Sequence, residues 1–287
     1  MSRLKIVLLI MVTFIFACNA YASDEEMYRP PTFSIEPCII GEFPFFDRQV
    51  EVFGIPIFAD PQVPDDKLLH AANVMAQYLD NNEDGKIDNP FVIEAMHESK
   101  AFLFMWSNED IIKKTTTALE KSSVKLKAQD LGSNETKPEW HTSGHLGEFD
   151  AALEEIWHLI TGAGYSIAYP EAFSEGSGST LTKAMDRARG GHFTEIPSGY
   201  PASAWYTYDD TTCDYNCMAI EYIYWGMSSI LGAQAKRAGE ITAEWKLYKK
   251  TDVQKQDPTL FDLLTTEKYV FPKKLPDGNY RGFIHKK

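Results

Sequence analysis

Apolar residues recur with a helical period over much of the chain. After Pro64, the residues Leu68, Ala72, Met75 and Leu79 fall on one side of a helix. Such a stripe is typical of an amphipathic helix that packs on a core. Similar periodicity, or a capping residue before an apolar run, predicts further helices over "NPFVIEAMHES" (89–99), "SNEDIIKKTTTALEK" (107–121), 146–161, "STLTKAMDRARGG" (179–191) and about 212–235.

Strand patterns are fewer and shorter. Residues 50–58 predict one or two short strands, and the apolar run "AFLFMW" (101–106) predicts a buried strand. Residues 127–145 are polar and irregular, and the helix predicted after them should end at "GAG" (162–164). The pattern as a whole predicts an α+β fold that is predominantly helical with few short strands.

The first 22 residues have the features of an export signal. Arg3 and Lys5 precede an apolar run over 6–17, and Ala20-Tyr21-Ala22 has the form of a cleavage site. The competing interpretation is an imperfect lipobox in which Cys18 is lipidated, tethering the chain by its N-terminus. Both predict a secreted or periplasmic protein. No later run approaches the roughly 20 apolar residues of a transmembrane segment.

Charge narrows the range of partners. The chain carries 28 basic and 41 acidic residues, a net charge of −13, and loss of two basic residues with the signal would leave −15. Nucleic acid is excluded as a partner, because its phosphates would be repelled by this surface. A peptide or other extracellular substrate is compatible with it. Residues 23–287 are long enough to form a single globular domain, whereas the oligomeric state is not predicted.

Three cysteines follow the predicted signal: Cys38, Cys213 and Cys217. In an oxidising compartment an odd number leaves one thiol unpaired. Cys213 and Cys217 are four residues apart, which brings their Cα atoms within disulfide range on a helix, although their Cβ directions need not suit a bond. Whether they form a disulfide is left open.

The segment "DNNEDGKID" (80–88) has the spacing of a calcium loop. Calcium prefers six to eight oxygen ligands, and Gly85 falls at the sharp turn of such loops. Position 12, usually glutamate, is Phe91, but Glu94 on the next helix could complete the shell. The predicted Ca²⁺ ligands are Asp80, Asn82, Asp84, the carbonyl of Lys86, Asp88 and Glu94. A solvated acidic turn is the alternative.

The segment "EEIWH" (154–158) differs from the zinc-protease motif HExxH by glutamate in place of the first histidine. On a helix, Glu154 and His158 lie one turn apart on one face, with Glu155 beside them. Zn²⁺ accepts carboxylate oxygen as well as imidazole nitrogen, so Glu154 can replace a histidine. The motif is short enough to arise by chance, and an exposed helical face is the alternative.

A second helix carries a conspicuous carboxylate. Glu221 lies in "CDYNCMAIEYIYWGMSSILGAQ", a segment apolar on nearly every side. A carboxylate there is predicted to be buried, so it must be paired, neutral or metal-bound. His145, in the loop "HTSGH" (141–145), is a further candidate that could complete the site.

Together with "HAANVMAQYLDNNEDG" and "YDDTTCDYNCMAIEYIYW", the "EEIWHLIT" segment resembles an uncharacterised family of exported proteins. The two helices also resemble gluzincin peptidases, in which a glutamate on a second helix supplies the third zinc ligand. The resemblance implies a zincin-like core, zinc bound by Glu154, His158 and Glu221, and Glu155 as general base. The missing first histidine puts the catalytic role in doubt more than metal binding.

The sequence therefore favours a zincin-like, metal-dependent hydrolase, either a peptidase or an amidase, with a structural calcium loop. One alternative is a non-catalytic, calcium-stabilised binding module whose aromatic loops engage a ligand. The aromatic residues of these loops could equally fill the core.

A third interpretation is a di-iron carboxylate protein, in which the second ExxH pair, Glu94 and His97, also binds metal. The aromatic residues of the loop-rich region are Tyr165, Tyr169, Phe173, Phe193, Tyr200, Trp205, Tyr206 and Tyr208.

Overall fold

The protein has a mixed α+β fold in which helices pack on a five-stranded sheet. The computed structural model describes residues 32–122 and 126–285, so the predicted signal peptide and Cys18 lie outside the described residues. By internal contacts, Thr32–Lys287 forms one compact unit.

The sheet has the order β1-β2-β3-β4-β5. β1, β2 and β3 pair antiparallel, whereas β4 runs parallel to both β3 and β5. The strands are β1 (Glu36–Pro37), β2 (Arg48–Val52), β3 (Ile55–Ala59), β4 (Phe102–Trp106) and β5 (Ala128–Gly132). β5 therefore lies at one edge of the sheet.

The helices are mostly short and follow β3. They are α1 (Asp65–Leu79), α2 (Pro90–Glu98), α3 (Glu109–Lys121), α4 (Glu139–Thr142), α5 (Ala152–Ile160), α6 (Ser166–Ala168), α7 (Pro170–Phe173), α8 (Thr180–Arg189), α9 (Tyr215–Leu231), α10 (Ala238–Ile241), α11 (Lys250–Gln256) and α12 (Pro258–Thr265). A π-helical turn (Thr161–Tyr165) joins α5 to α6, and a 3₁₀ turn (Gly282–His285) lies near the C-terminus.

The alternation of side chains along β4 explains the two hydrophobic cores. Leu103 and Met105 face the large core under α1, α5 and α9, whereas Phe102 and Phe104 face a smaller core with Ile111 of α3. Successive strand residues point to opposite faces, so a continuous apolar run is what a strand covered on both sides requires.

The predicted strands at 50–58 and 101–106 and the helices at 89–99, 107–121 and 179–191 are confirmed, with bounds shifted by a few residues. Asn89 caps α2 as expected, accepting hydrogen bonds from the backbone of Phe91 and Val92. The predicted helix over 212–235 is α9, which ends at Gly232 in a left-handed conformation.

Three predictions around 127–164 were wrong. Residues predicted to be loop contain β5 and α4, and α5 begins at Ala152, not at 146. The helix also does not end at "GAG", because the chain continues through the π-helical turn into α6. Gly164 packs so closely on α2 that an added Cβ would lie 2.6 Å from Cγ1 of Val92. Glycine is therefore required at position 164 for the close packing of the two helices, not to end a helix.

Aromatic residues of the loop-rich region largely fill the core. Tyr165, Phe173 and Tyr206 are buried, and Tyr165 stacks on Phe271 with ring centroids 4.3 Å apart. The alternative in which aromatic loop residues engage a ligand is not supported at these three positions. Within the described ranges, no helix combines the length and apolar character that crossing a bilayer requires.

Candidate metal centre

Helix α5 presents its polar residues towards β5 and α9. Its apolar side chains, including Leu153, Ile156 and Trp157, are buried in the large core, and the helix contacts α1, β5 and α9. The remaining face carries Glu154 and His158 one turn apart, so both project from α5 in the same direction.

Helix α9 supplies the second side of the site. Asp214 caps its N-terminus by accepting a hydrogen bond from the backbone of Cys217, and a disulfide joins Cys213 to Cys217 across the first turn. Glu221 lies one turn further on, with its side chain 12% exposed. The expectation of a largely buried carboxylate on this helix is confirmed.

Glu154, His158 and Glu221 converge. Each residue offers one potential ligand atom, and these three atoms all lie within 4.8 Å of one another. Nε2 of His158 is 3.6 Å from Oε2 of Glu221, which is too long for a hydrogen bond. This nitrogen is buried and has no hydrogen-bond partner among the described residues. It therefore points at a carboxylate across a gap.

The other nitrogen of His158 is held by Glu155. Nδ1 of His158 lies 3.3 Å from Oε2 of Glu155, and the same oxygen accepts a hydrogen bond of 2.6 Å from Gln129 of β5. A carboxylate on the second nitrogen fixes the ring orientation and leaves Nε2 as the ligand atom, as in carboxylate–histidine–metal arrangements.

Two tyrosines complete the surroundings. Tyr208 lies beside Glu221, and Tyr224 lies beside Glu154. The Tyr224 hydroxyl accepts a hydrogen bond of 3.2 Å from Gln234. Each carboxylate thus has a phenol close by, which supplies no positive charge.

Burial and mutual repulsion determine the charge states. Burial, followed by the charges of Glu221 and Glu155, raises the pKa of Glu154 to about 8. Burial also raises the pKa of Glu221, although His158 offsets part of this effect. Burial alone would lower the pKa of His158, but Glu221 and Glu155 raise it to about 10. Without a metal, the cluster therefore retains protons at neutral pH.

Further acidic groups surround this cluster. Burial and then Glu221 raise the pKa of Glu244 to about 7. Burial raises the pKa of Asp130 and of Glu135, and the charge of Glu155 adds to both shifts. The negative potential extends well beyond the three converging residues, which favours a cation.

Other predicted ligands lie elsewhere. His145 stacks on Trp140 with ring centroids 4.1 Å apart, and the structure does not bring it to Glu154. Glu94 is exposed, and Nε2 of His97 contacts the carbonyl of Phe53 at 2.9 Å. Within the described ranges, neither Glu94 nor His97 joins a three-ligand group, as the di-iron alternative requires.

The acidic loop has the turn that its glycine predicts, with Gly85 at a φ of 83°. Asp80 is fully buried and accepts hydrogen bonds from the backbone of Asp84 and Gly85 and from the Tyr280 hydroxyl. Asp88 accepts hydrogen bonds from the backbone of Asn81 and from the Asn82 side chain.

The other loop groups follow the same pattern. Oδ1 of Asn82 accepts a hydrogen bond from the backbone N–H of Asp84, and Oδ1 of Asp84 accepts one from the backbone N–H of Lys86. The side-chain oxygens of the loop are thus largely paired within the chain, and Glu94 makes no contact with them that would complete a shell.

A cavity of about 760 Å³ lies away from both regions. It is mostly apolar, and its lining includes Phe43, Phe58 and Phe102 together with the polar groups of His97 and Lys100. None of Glu154, His158 or Glu221 lines it.

Gln129 and Tyr224 were missed from the sequence, whereas Tyr208 was named among the aromatic residues of the loop-rich region but not placed beside Glu221. Tyr224 had a signal, because it lies three residues after Glu221 on the same helix. Gln129 lies in a strand that was not predicted, so it carried no recognisable pattern.

The chain matches no family model, no curated protein and no solved structure. Two carboxylates and one imidazole form a donor set that Zn²⁺ accepts. The unpartnered Nε2 of His158 fits a metal ligand better than a member of a closed hydrogen-bond network.

Proposed function

We propose that this protein is a zinc-dependent hydrolase, a peptidase or an amidase, whose metal is bound by Glu154, His158 and Glu221. The observation that carries the proposal is the buried Nε2 of His158, which has no hydrogen-bond partner in the described chain and lies 3.6 Å from Oε2 of Glu221. Zinc bonds of about 2 Å to nitrogen and oxygen span such a separation.

The resemblance to gluzincins supports the same assignment. It implies one helix with a ligand pair one turn apart and a second helix that supplies a glutamate, and α5 and α9 are in contact with these residues facing each other. A zinc ion bound here would polarise a substrate carbonyl and lower the pKa of a bound water. Two carboxylates would make it a weaker Lewis acid than a site with two histidines.

For Glu155 the geometry favours a positioning role. Its Oε2 is shared between Nδ1 of His158 and Gln129, so it orients the histidine ring. The general-base role remains the prediction from the HExxH pattern. A Glu155→Gln variant separates the two, because glutamine can still accept a hydrogen bond from His158 but cannot accept a proton from water.

Full zinc content with hydrolysis reduced at least about 100-fold would support the base. Zinc affinity and hydrolysis both close to those of the wild type would support positioning, because glutamine keeps the hydrogen bond that orients His158. Glu135→Gln, which changes a nearby carboxylate that makes no contact with His158, is the matched control.

Tyr208 is a candidate for contact with substrate. It is half-buried beside Glu221, and burial followed by the charge of Glu221 raises the pKa of its hydroxyl. The phenol therefore stays protonated at neutral pH and can donate a hydrogen bond to an oxygen that gains negative charge during hydrolysis.

The disulfide between Cys213 and Cys217 supports export, because such bonds persist in oxidising compartments. A secreted or periplasmic location suits an extracellular peptide substrate. The acidic groups around the centre favour substrates with positive charge near the bond that is cleaved.

The direct test is hydrolysis of a fluorogenic peptide library by zinc-loaded protein, with Glu221→Gln as the inactive control. Cleavage that requires Glu221 and is abolished by a chelator is the expected result. Zinc-loaded protein that cleaves no peptide or amide in the library would overturn the hydrolase assignment.

The binding-module alternative has one observation in its favour, the apolar cavity of about 760 Å³ beside His97 and Lys100. It predicts that an apolar fluorescent probe binds to the protein whether or not metal is present. A Phe58→Ala variant should weaken this binding while leaving zinc content unchanged.

A further inference from the structure

A second group of metal-ligating side chains lies outside the candidate metal centre. The group consists of His70 of α1, His141 of α4 and Asp150, which lies just before α5. Each offers one potential ligand atom, and these three atoms all lie within 4.8 Å of one another. Their side chains are 6%, 4% and 0% exposed. Three separate segments thus place these residues together in the interior.

Both histidines direct the same ring nitrogen at the same oxygen. Nε2 of His70 lies 2.7 Å from Oδ2 of Asp150, and Nε2 of His141 lies 2.8 Å from it. The other carboxylate oxygen is held by the backbone N–H of Lys137 at 2.8 Å. The orientation of the carboxylate is therefore fixed independently of the histidines.

The ring positions also suit a shared ligand. Two imidazoles that bind one tetrahedral zinc through Nε2 have ring centroids roughly 5 Å apart, and those of His70 and His141 are 5.3 Å apart. Gly278 seats the ring of His70, because an added Cβ would lie 2.3 Å from its Nδ1. Ligand atoms on one zinc lie roughly 3 to 3.5 Å apart, so a small opening of the group would admit the ion.

Charge balance gives the physical reason for a cation. A buried carboxylate is stabilised by hydrogen-bond donors or by a bound cation. The backbone donors to Asp150 reach Oδ1, and the ammonium group of nearby Lys137 pairs with Glu148. A cation held at Oδ2 by the two imidazoles would balance the remaining charge. Two imidazoles and one carboxylate are ligands of the type that zinc and related divalent metals take.

We propose that His70, His141 and Asp150 bind a second divalent cation of the zinc class, in a structural site. The bound ion ties α1 to α4 and to the start of α5, and it fixes Asp150 one turn before Glu154. The site shares no ligand with the candidate metal centre, and its near-complete burial separates it from substrate.

The test is the zinc content of purified full-length protein after zinc loading and dialysis, measured by elemental mass spectrometry in four proteins. These are wild type, His141→Gln, Glu221→Gln and the double variant. We expect each single variant to lose one zinc ion per chain and the double variant to lose both. His145→Gln, four residues from His141 and outside the group, is the matched control and should keep the wild-type content.

Unchanged zinc in His141→Gln, in both the wild-type and the Glu221→Gln backgrounds, would show that the group is only a hydrogen-bonded cluster. Loss in Glu221→Gln without loss in His141→Gln would overturn the second site and leave the proposed function intact. If His141→Gln does not fold, anomalous diffraction at the zinc edge of wild-type crystals decides: a peak between the two Nε2 atoms and Oδ2 supports the site, and its absence overturns it.

Discussion

Carboxylates gather in the loop of residues 80–88 and also between α5 and α9. In the loop, buried Asp80 accepts two backbone N–H groups and a tyrosine hydroxyl, so its charge is already stabilised by the fold. Between the helices, Glu154 and Glu221 lie beside phenols and beside a histidine nitrogen that has no hydrogen-bond partner in the described part of the chain.

The comparison separates two ways of keeping carboxylates inside a protein. Backbone donors stabilise the ionised form permanently, so the loop has its turn whether or not calcium is bound. A cluster that lacks such donors must take up protons or a metal ion. A run of acidic residues with the spacing of a calcium loop is therefore weaker evidence of a bound metal. A smaller group whose nitrogen and oxygen atoms lack hydrogen-bond partners is stronger evidence.

The largest effect is expected from Glu221→Gln. We expect zinc affinity at the candidate metal centre to fall by more than about 1,000-fold, or about 4 kcal/mol, because one of three ligands loses its charge. Isothermal titration with zinc measures this change. Asp84→Asn, which removes a similar charge from the exposed part of the loop, is the control and should leave zinc affinity unchanged.

Asp80→Ala tests the opposite side of the comparison. It leaves two backbone donors and the Tyr280 hydroxyl without their acceptor, so we expect a loss of about 3 kcal/mol in the free energy of unfolding. Urea denaturation in the presence of EDTA isolates the hydrogen-bond effect from any calcium effect. A loss below the roughly 0.5 kcal/mol of ordinary surface substitutions would contradict this account of the loop.

Calcium binding by the loop remains a prediction with a distinct measurement. With the affinity of an extracellular calcium module, 10 mM Ca²⁺ should stabilise the wild type by roughly 2 kcal/mol. Asp84→Ala should remove this gain while changing stability in EDTA very little, because Asp84 is exposed. Equal stability of the wild type with and without calcium would reduce the loop to a solvated acidic turn.

The metal-free protein should become less stable as pH rises from about 5 to 9. The carboxyl of Glu154 has a raised pKa of about 8, so above its unfolded pKa of about 4.3 the unfolded chain releases a proton that the folded chain keeps. His158, with a raised pKa of about 10, contributes stability that is full below about pH 6.5 and is lost towards pH 10. Both effects have the same sign.

We expect the combined loss to be on the order of 1 kcal/mol or more, measured by urea denaturation at several pH values. Saturating zinc should remove the slope, because it binds the deprotonated groups. A Glu154→Gln variant should show a shallower slope than the wild type without metal. Asp150 does not interfere, because its pKa is lowered and its contribution is lost only in acid.

The smallest expected effect comes from Gln129→Leu. Loss of the 2.6 Å hydrogen bond to Glu155 loosens the carboxylate that orients His158, and zinc affinity should fall about threefold to tenfold. Zinc titration again gives the measurement, with Gln62→Leu as a surface control. An effect as large as that of Glu221→Gln would mean that Gln129 does more than orient Glu155.

Much of the fold followed from periodicity. The stripe from Leu68 to Leu79 and the run at 101–106 each identify one element without ambiguity. β5 could not be predicted in this way, because "AQDLG" has neither β-branched residues nor regular alternation. The strand is specified by its pairing with β4. Tertiary contacts supplied what local sequence lacked.

The three converging residues of the candidate centre were all singled out from the sequence. Glu154 and His158 were chosen for the likeness of "EEIWH" to HExxH, and Glu221 because a buried glutamate on an apolar helix is a rare signal. His145 was grouped with them only for its nearness in sequence to α5. Its neighbours are instead Trp140 and His141, and it lies in a turn where Gly144, His145 and Gly147 all have positive φ.

The link between Cys213 and Cys217 has a practical consequence for anyone preparing this protein. It closes a ring of very few residues, so its effect on the unfolded ensemble is small, but it braces the point where the strand of chain bearing Tyr208 turns into the helix bearing Glu221. A thiol reductant left in a purification buffer, or production in a reducing cytosol, removes that brace. Samples made in the two ways are chemically different proteins at the very place where activity would be assayed.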